Sequence, residues 1–219
     1  MIRLINLTKT FRLEGVSKTV VDNVSMTLPA RTSIGLLGRN GAGKSTLLKM
    51  IAGTMPPTTG EIQVDGSISW PVGFAGSFHA DLSGAQNVRY VARIYGVDSD
   101  ELVEFTRDFA ELGPHFNLPV RSYSSGMISR LAFGVSMGIA FDTYLVDEVT
   151  AVGDAVFRQK SEQMFLARMR GAGAIVVNHT MSVIRSLCTK VIVLEDGELL
   201  WFDDIEEGIR RHNRNMLGD

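Results

Sequence analysis

The sequence predicts an α/β fold with a mainly parallel sheet, an antiparallel β portion near the N-terminus and an inserted helical portion in the middle. Three observations predict it. From Thr143 onward, short apolar runs alternate with helix-period segments, the pattern of parallel strands covered on both faces. The first extended segments are separated only by the turn residues Glu14–Gly15, which suits antiparallel pairing. Between these regions, helical segments follow one another with no strand of the βα repeat among them.

Extended segments are expected at Ile2–Leu7 and Val20–Leu28. Ser33–Gly38 is a short apolar run ending in a Gly-rich loop, and a helix follows from about Lys44 to Ala52 with Leu47, Leu48 and Ile51 on one face. Gly53–Gly60, with Pro56–Pro57, is a turn. Strands are expected at Glu61–Val64 and Ser67–Trp70, then helices at Ala85–Tyr95, Asp98–Leu112 and Ser125–Phe141. Thereafter come a strand at Thr143–Asp147, a helix near Ala155–Arg170, a strand at Ala174–Asn178, a helix near Ser182–Leu187 and a strand at Lys190–Glu195. Asp196–Gly197 turns the chain into Glu198–Phe202, and a short polar helix closes it.

A net charge of −2 offers no general attraction to nucleic acid, which shows as a basic excess. The single cysteine, Cys188, cannot form an internal disulfide, so a reducing compartment is permitted. The N-terminus has no long apolar core and no small-residue cleavage site, so no secretory signal is expected. The apolar stretch Gly126–Phe141 carries Arg130. At about 1.5 Å per residue it reaches only roughly 24 Å, short of a bilayer core, and reads as a buried helix. The cluster Arg210, Arg211, His212 and Arg214 offers a contact for anionic lipid, although a solvated helix end is the favoured reading.

The strongest chemical signal is Gly38-Arg39-Asn40-Gly41-Ala42-Gly43-Lys44-Ser45-Thr46, which fits G-x-x-x-x-G-K-S/T at every fixed position between an apolar strand and a helix. Glycines let the backbone wrap closely around phosphate oxygens with several N–H groups pointing inward. The helix beginning near Lys44 adds the positive end of its dipole. Lys44 is a point charge for the β- and γ-phosphates, and the Ser45 hydroxyl is placed to ligate Mg²⁺. This predicts a nucleoside triphosphate site without separating a kinase, a GTPase and a transporter ATPase.

Tyr144-Leu145-Val146-Asp147-Glu148 is a short apolar strand ending in two carboxylates. Ligand sites in parallel sheets lie beyond the C-terminal strand ends. Asp147 is therefore a candidate to hold Mg²⁺, and Glu148 to polarise the attacking water as general base.

Tyr123-Ser124-Ser125-Gly126-Met127 resembles the LSGGQ signature of ABC ATPases, with Ser124 and Gly126 matching and Tyr123, Ser125 and Met127 departing. It opens the apolar helix ahead of the acidic pair, where that family carries it. Val149-Thr150-Ala151-Val152-Gly153-Asp154 is similar to the family's D-loop, with Asp154 at the matching aspartate and Gly153 departing from the usual leucine. His179 matches the switch histidine, expected to contact the γ-phosphate. Phe11 sits where the family places an aromatic against adenine, a contact worth about 1–3 kcal/mol by analogy with base–aromatic stacking. The family's Q-loop glutamine is not plainly present in Gly73–His79, where His79 is the candidate for that role, including its metal contact.

The resemblance spans nearly the whole chain, 1–219, which it implies is a single ABC-type P-loop NTPase domain with a helical subdomain at about 77–141. Ser69-Trp70-Pro71-Val72-Gly73, the Tyr123–Met127 motif and Val146–Asp154 resemble in particular the ATP-binding subunits of bacterial capsular polysaccharide exporters. The chain stops soon after its ATPase core, which favours that branch over O-antigen exporters with a C-terminal carbohydrate-binding domain or teichoic acid exporters with a long extension. The resemblance implies ATP and Mg²⁺ and a head-to-tail homodimer in which the phosphate loop of one copy faces Ser124–Gly126 of the other. It further implies an integral membrane permease, a polysaccharide as the transported substrate, and a peripheral position on the cytoplasmic face of the bacterial inner membrane. Rival classes are a soluble ABC ATPase acting on DNA or ribosomes, which usually adds a coiled-coil insertion or a second ATPase core, and a P-loop kinase or GTPase. No NKxD-type guanine reader is present, Asn178-His179-Thr180 not being one.

Overall fold

A computed structural model describes residues 1–73, 76, 78–147 and 154–217. Glu14 and Gly15, at φ 48° and 82°, turn strand β1 (Ile2–Leu13) into strand β2 (Val16–Leu28), and β4 (Thr59–Val64) pairs on the other side of β1. Among the described residues these form a three-stranded antiparallel sheet in the order β2-β1-β4. Both β1 and β2 run longer than the expected Ile2–Leu7 and Val20–Leu28. Asn6 and Asn23, each at φ 46°, sit where the β1–β2 register shifts. Such bulges break the two-residue alternation by which a strand is recognised in sequence.

A second sheet takes the order β5-β6-β7-β3-β8-β9, built from β3 (Ser33–Leu37), β5 (Ile68–Pro71), β6 (Thr143–Asp147), β7 (Gly173–Val177), β8 (Lys190–Glu195) and β9 (Glu198–Phe202). The β5–β6, β6–β7, β7–β3 and β3–β8 pairs are parallel, and β9 adds antiparallel through the Asp196–Gly197 turn. Strand β7 is buried along its whole length and β3 in all but its first residue, and both read as near-continuous apolar runs, as parallel strands covered on both faces do. Helix α1 (Lys44–Ile51) lays Leu47, Leu48 and Ile51 into a cluster with Leu36, Leu145, Ile175 and Ile192.

Both sheets belong to the first of two compact units, Met1–Pro71, Phe141–Glu148 and Gly171–Asp219. The unit also holds α6 (Met181–Leu187) and α7 (Ile205–Leu217). On α7 the basic residues divide by face. Arg210 and Arg214 are exposed, Arg211 pairs with Glu195 at 2.8 Å, and His212 is buried, so the helix is not simply a solvated end.

The second unit, Val72–Ala140 and Val149–Arg170, is helical: α2 (Gly84–Tyr95), α3 (Ser99–Ala110), α4 (Ser125–Gly138) and α5 (Ala155–Met169). Ser83 and Gln86 form a reciprocal capping box at the start of α2, and Asp98 caps α3. Stacked and edge-on rings of Phe105, Phe109, Phe133 and Phe157 fill its interior. Helix α4 ends at Gly138, before the expected Phe141. Ile139 is extended, and Arg168 donates to the Met137 carbonyl at 2.8 Å, supplying a partner at the helix end. Among the described residues no helix is long and apolar enough to cross a membrane.

Candidate functional site

The loop from Gly38 to Gly43 links β3 to α1 in the first unit. A Cβ on Gly38 would lie 2.6 Å from the Leu194 carbonyl oxygen, so only glycine lets the loop leave the sheet pressed against β8. Gly43 precedes α1 at φ 114°, where a Cβ would meet Val20 at 2.8 Å. No side chain caps α1, and no acidic residue occupies its first turn. Its leading N–H groups and dipole therefore face the loop uncancelled by a carboxylate. Lys44 Nζ donates to the carbonyls of Gly38 at 2.7 Å and Arg39 at 3.0 Å, and Lys18 Nζ donates to Gly41 at 2.9 Å.

A pocket of about 460 Å³ opens over this loop, lined by Asn40, Gly41, Gly43, Lys44, Ser45 and Thr46 together with Phe11, Lys18, Val20, Val177 and His179. The structure thus brings together the expected phosphate loop, the expected adenine-stacking aromatic and the expected switch histidine. Gly38, Arg39 and Ala42 do not line it. The first two turn their carbonyls to Lys44, and Ala42 packs against the apolar cluster beneath.

Four neighbours, Lys18, Val20, Val177 and Asn178, were not expected from the sequence. Lys18 is the direct cross-strand partner of Phe11, a pairing that exists only through the β1–β2 register, and Val20 follows on the same strand. Asn178 is buried and accepts the Thr180 N–H at 2.7 Å, closing a tight turn around the exposed His179. Its type, one residue before the histidine, was the available signal.

Asp147 ends β6 directly beside Val177 of β7, outside the pocket lining. Glu148, the expected general base, lies outside the described residues, as do Val149–Gly153 of the expected D-loop. Among the described residues no group of three or more His, Cys, Asp or Glu side chains forms a metal cage. A hydroxyl in the first turn of α1 and a carboxylate at the end of β6 fit an ion that keeps waters and completes its shell with phosphate oxygens.

The remaining expected residues lie in the second unit. Ser124 caps α4, accepting the Met127 N–H at 3.2 Å, and Ser125 is exposed. Gly126 is so open that a Cβ would meet nothing nearer than the Ser124 hydroxyl at 3.9 Å. Tyr123, which departs from the family's leucine, is buried and donates to the His115 carbonyl at 2.7 Å, pinning this turn. Asp154 caps α5 through the Phe157 N–H at 2.9 Å and pairs with Arg130 of α4 at 2.6 Å. Those partners, the backbone N–H first, hold its carboxyl below the usual range. His79 is tied to the start of α2: its N–H donates to Asn87 Oδ1 at 2.7 Å, and its Nδ1 accepts the Asp81 N–H at 3.2 Å.

Comparison with known proteins returns the ABC transporter family model over residues 21–151. The polysialic acid transport ATP-binding protein KpsT of Escherichia coli is 43% identical, covering 95% of each chain. The capsule polysaccharide export ATP-binding protein CtrD of Neisseria meningitidis serogroup B is 42% identical, covering 97% of this chain and 99% of its own. An O-antigen export system ATP-binding protein, RfbB of Klebsiella pneumoniae, is 34% identical over 93% of this chain and 85% of its own. Among solved structures, an ATP-binding subunit of an ABC transporter superposes with a TM-score of 0.81 at 18% identity, covering 99% of both chains. The ATP-binding cassette MJ0796, a dimer in a post-hydrolysis state with ADP and Pi, has a TM-score of 0.76 at 23% identity, covering 91% of this chain and 96% of its own.

Proposed function

The chain belongs to the ABC transporter family of ATP-binding proteins, and from that premise we propose that it hydrolyses ATP to drive export of a capsular polysaccharide through a separate membrane permease. The observation that carries the ATPase reading is the pocket joining Lys44, the open N-terminus of α1 and His179. The choice of capsule over O-antigen export rests on identities of 42–43% over nearly whole chains, against 34% for the O-antigen relative.

In this reading Phe11 stacks on adenine, and the backbone of Gly38–Thr46 cradles the phosphates with Lys44 on the β- and γ-groups. Ser45 and Asp147 would hold Mg²⁺, whose charge would offset that of the phosphate oxygens. Glu148 takes a proton from the attacking water, and His179 holds the γ-phosphate end in register. Catalysis is then mostly positioning and charge stabilisation. His79 stands in for the family's glutamine.

Two copies assemble head to tail. Ser124, Ser125 and Gly126 of one present a helix N-terminus to the triphosphate on the other, and Asp154 steadies the seam. ATP then favours the closed pair by binding it better than the open one, and hydrolysis removes that preference. The chain acts as one nucleotide-binding domain, 1–219, whose helical lobe at about 77–141 transmits the change to the permease. The absence of a membrane-crossing helix among the described residues suits a peripheral subunit at the cytoplasmic face of the inner membrane.

The test is Glu148→Gln. The variant is expected to bind ATP, to lose turnover and to accumulate as an ATP-dependent dimer. Near-normal ATPase activity would remove Glu148 from its role. Deleting the gene should leave polymer inside the cell. Surface capsule at wild-type levels would reject the substrate assignment.

A further inference from the structure

The C-terminal helix is fastened to both sides of the phosphate end of the pocket. At its start, Arg185 of α6 grips Glu206 through Nε at 2.6 Å and Nη2 at 3.0 Å, and α6 begins directly after His179 and Thr180. Midway along it, Arg211 pairs with Glu195 at 2.8 Å. Glu195 closes β8, and the preceding Leu194 carbonyl is the group against which Gly38 is pressed. Gly38 in turn gives its own carbonyl to Lys44. Helix α7 therefore touches the segment that carries His179 and the strand end that shapes the Lys44 loop.

His212 lies on the inward face of this helix, 8% exposed, and its Nδ1 has no hydrogen-bond partner among the described residues. A buried polar atom without a partner is disfavoured, and a ring needed only for bulk would be better apolar. Burial first, then Lys44 and then His179, hold the imidazole below its usual value. The charged form of the ring is thus disfavoured, and Lys44 and His179, which meet the γ-phosphate in the reading above, are the charged neighbours that disfavour it. A buried dipolar ring near two such groups can favour one orientation of each.

We propose that His212 is a positioning residue for ATP hydrolysis, acting from the C-terminal helix on the phosphate end of the pocket through Lys44 and His179. The inference rests on the ATPase reading and adds to it a role for α7.

The test compares the purified full chain with His212→Phe, which keeps the bulk, and His212→Asn, which restores a polar group near Nδ1. Steady-state ATPase kinetics and thermal melting are measured on each. His212→Phe is expected to lower kcat about tenfold while KM for ATP stays within about twofold, and His212→Asn to recover most of the loss. Wild-type kcat in His212→Phe would overturn the inference. So would equal losses in both variants that track a fall in melting temperature. Should His212→Phe fail to fold, Arg211→Gln decides. This half-exposed change releases α7 from Glu195, and an unchanged kcat would overturn the inference while a fall of about threefold would support it. A wild-type chain that does not hydrolyse ATP would strike the ATPase reading itself, whereas an active wild type with an indifferent His212→Phe strikes this inference alone.

Discussion

The Arg130 guanidinium lies 2.6 Å from the Asp154 carboxylate and 4.5 Å from the centroid of the Phe157 ring. Asp154 does two jobs at once: it accepts the Phe157 N–H as the cap of α5 and it holds the signature helix α4. These jobs separate by mutation. Asp154→Asn keeps a capping oxygen and loses the charge, whereas Asp154→Ala loses both, so the alanine variant should melt lower than the asparagine one. Arg130→Ala removes the ring contact and the pair, and should cost about 1 kcal/mol in urea denaturation. Equal melting of the two Asp154 variants would mean that the cap carries no weight.

The turn held by Asn178 yields a kinetic prediction. Its Oδ1 fixes the Thr180 N–H and with it the backbone at His179. On the role proposed for His179, Asn178→Ala should lower kcat about tenfold with little change in KM, since a displaced histidine would lose contacts made late in the reaction. Asn178→Asp retains the accepting oxygen and should keep most of the activity. ATPase kinetics on the two variants check this, and an unaffected alanine variant would dissociate the turn from catalysis.

Local chemistry was legible in the sequence, and long-range register was not. Gly38–Thr46 declares itself because its glycines, its lysine and its hydroxyls stand at fixed spacing within one loop. Thr143–Asp147 matched its strand to the residue, because a buried parallel strand is an unbroken apolar run between polar ends. The β1–β2 hairpin was underestimated because its tip, Thr8–Leu13 and Val16–Thr19, has no buried position and so no alternation of buried and exposed residues. Lys18 reaches the pocket only because it pairs with Phe11, and His212 is buried only because α7 folds back over β8. No local pattern records either fact. The leucine-to-tyrosine departure at Tyr123 became intelligible once its hydroxyl was seen on the His115 carbonyl.

Ser69 offers a stability prediction on the strand pair that carries Asp147. The β5–β6 register is irregular, and the Leu145 N–H donates to Ser69 Oγ at 2.9 Å. Both residues are buried. Ser69→Ala would strand that N–H away from water and should cost about 1–3 kcal/mol by urea denaturation. Ser69→Thr keeps the hydroxyl and should cost less if its methyl is accommodated. A neutral Ser69→Ala would indicate that water reaches the Leu145 amide.

Asp142 sets the pH dependence at the edge of the same pair. Its Oδ2 accepts the Ser67 N–H at 2.8 Å and the Ser67 hydroxyl at 2.9 Å, and these bonds hold its carboxyl below the usual carboxylate range. A carboxyl depressed by folding stabilises the native state fully above its unfolded value, about 3.9, and that contribution disappears as pH falls through the lower folded value. The wild type should therefore lose stability on acidification below about pH 4 more steeply than Asp142→Asn. At neutral pH the asparagine variant should be the less stable of the two, because a neutral amide accepts these bonds more weakly. Urea midpoints measured from pH 7 down to pH 3 check both statements. Parallel curves for the two proteins would show that the Ser67 bonds do not distinguish the charged carboxylate from the neutral amide.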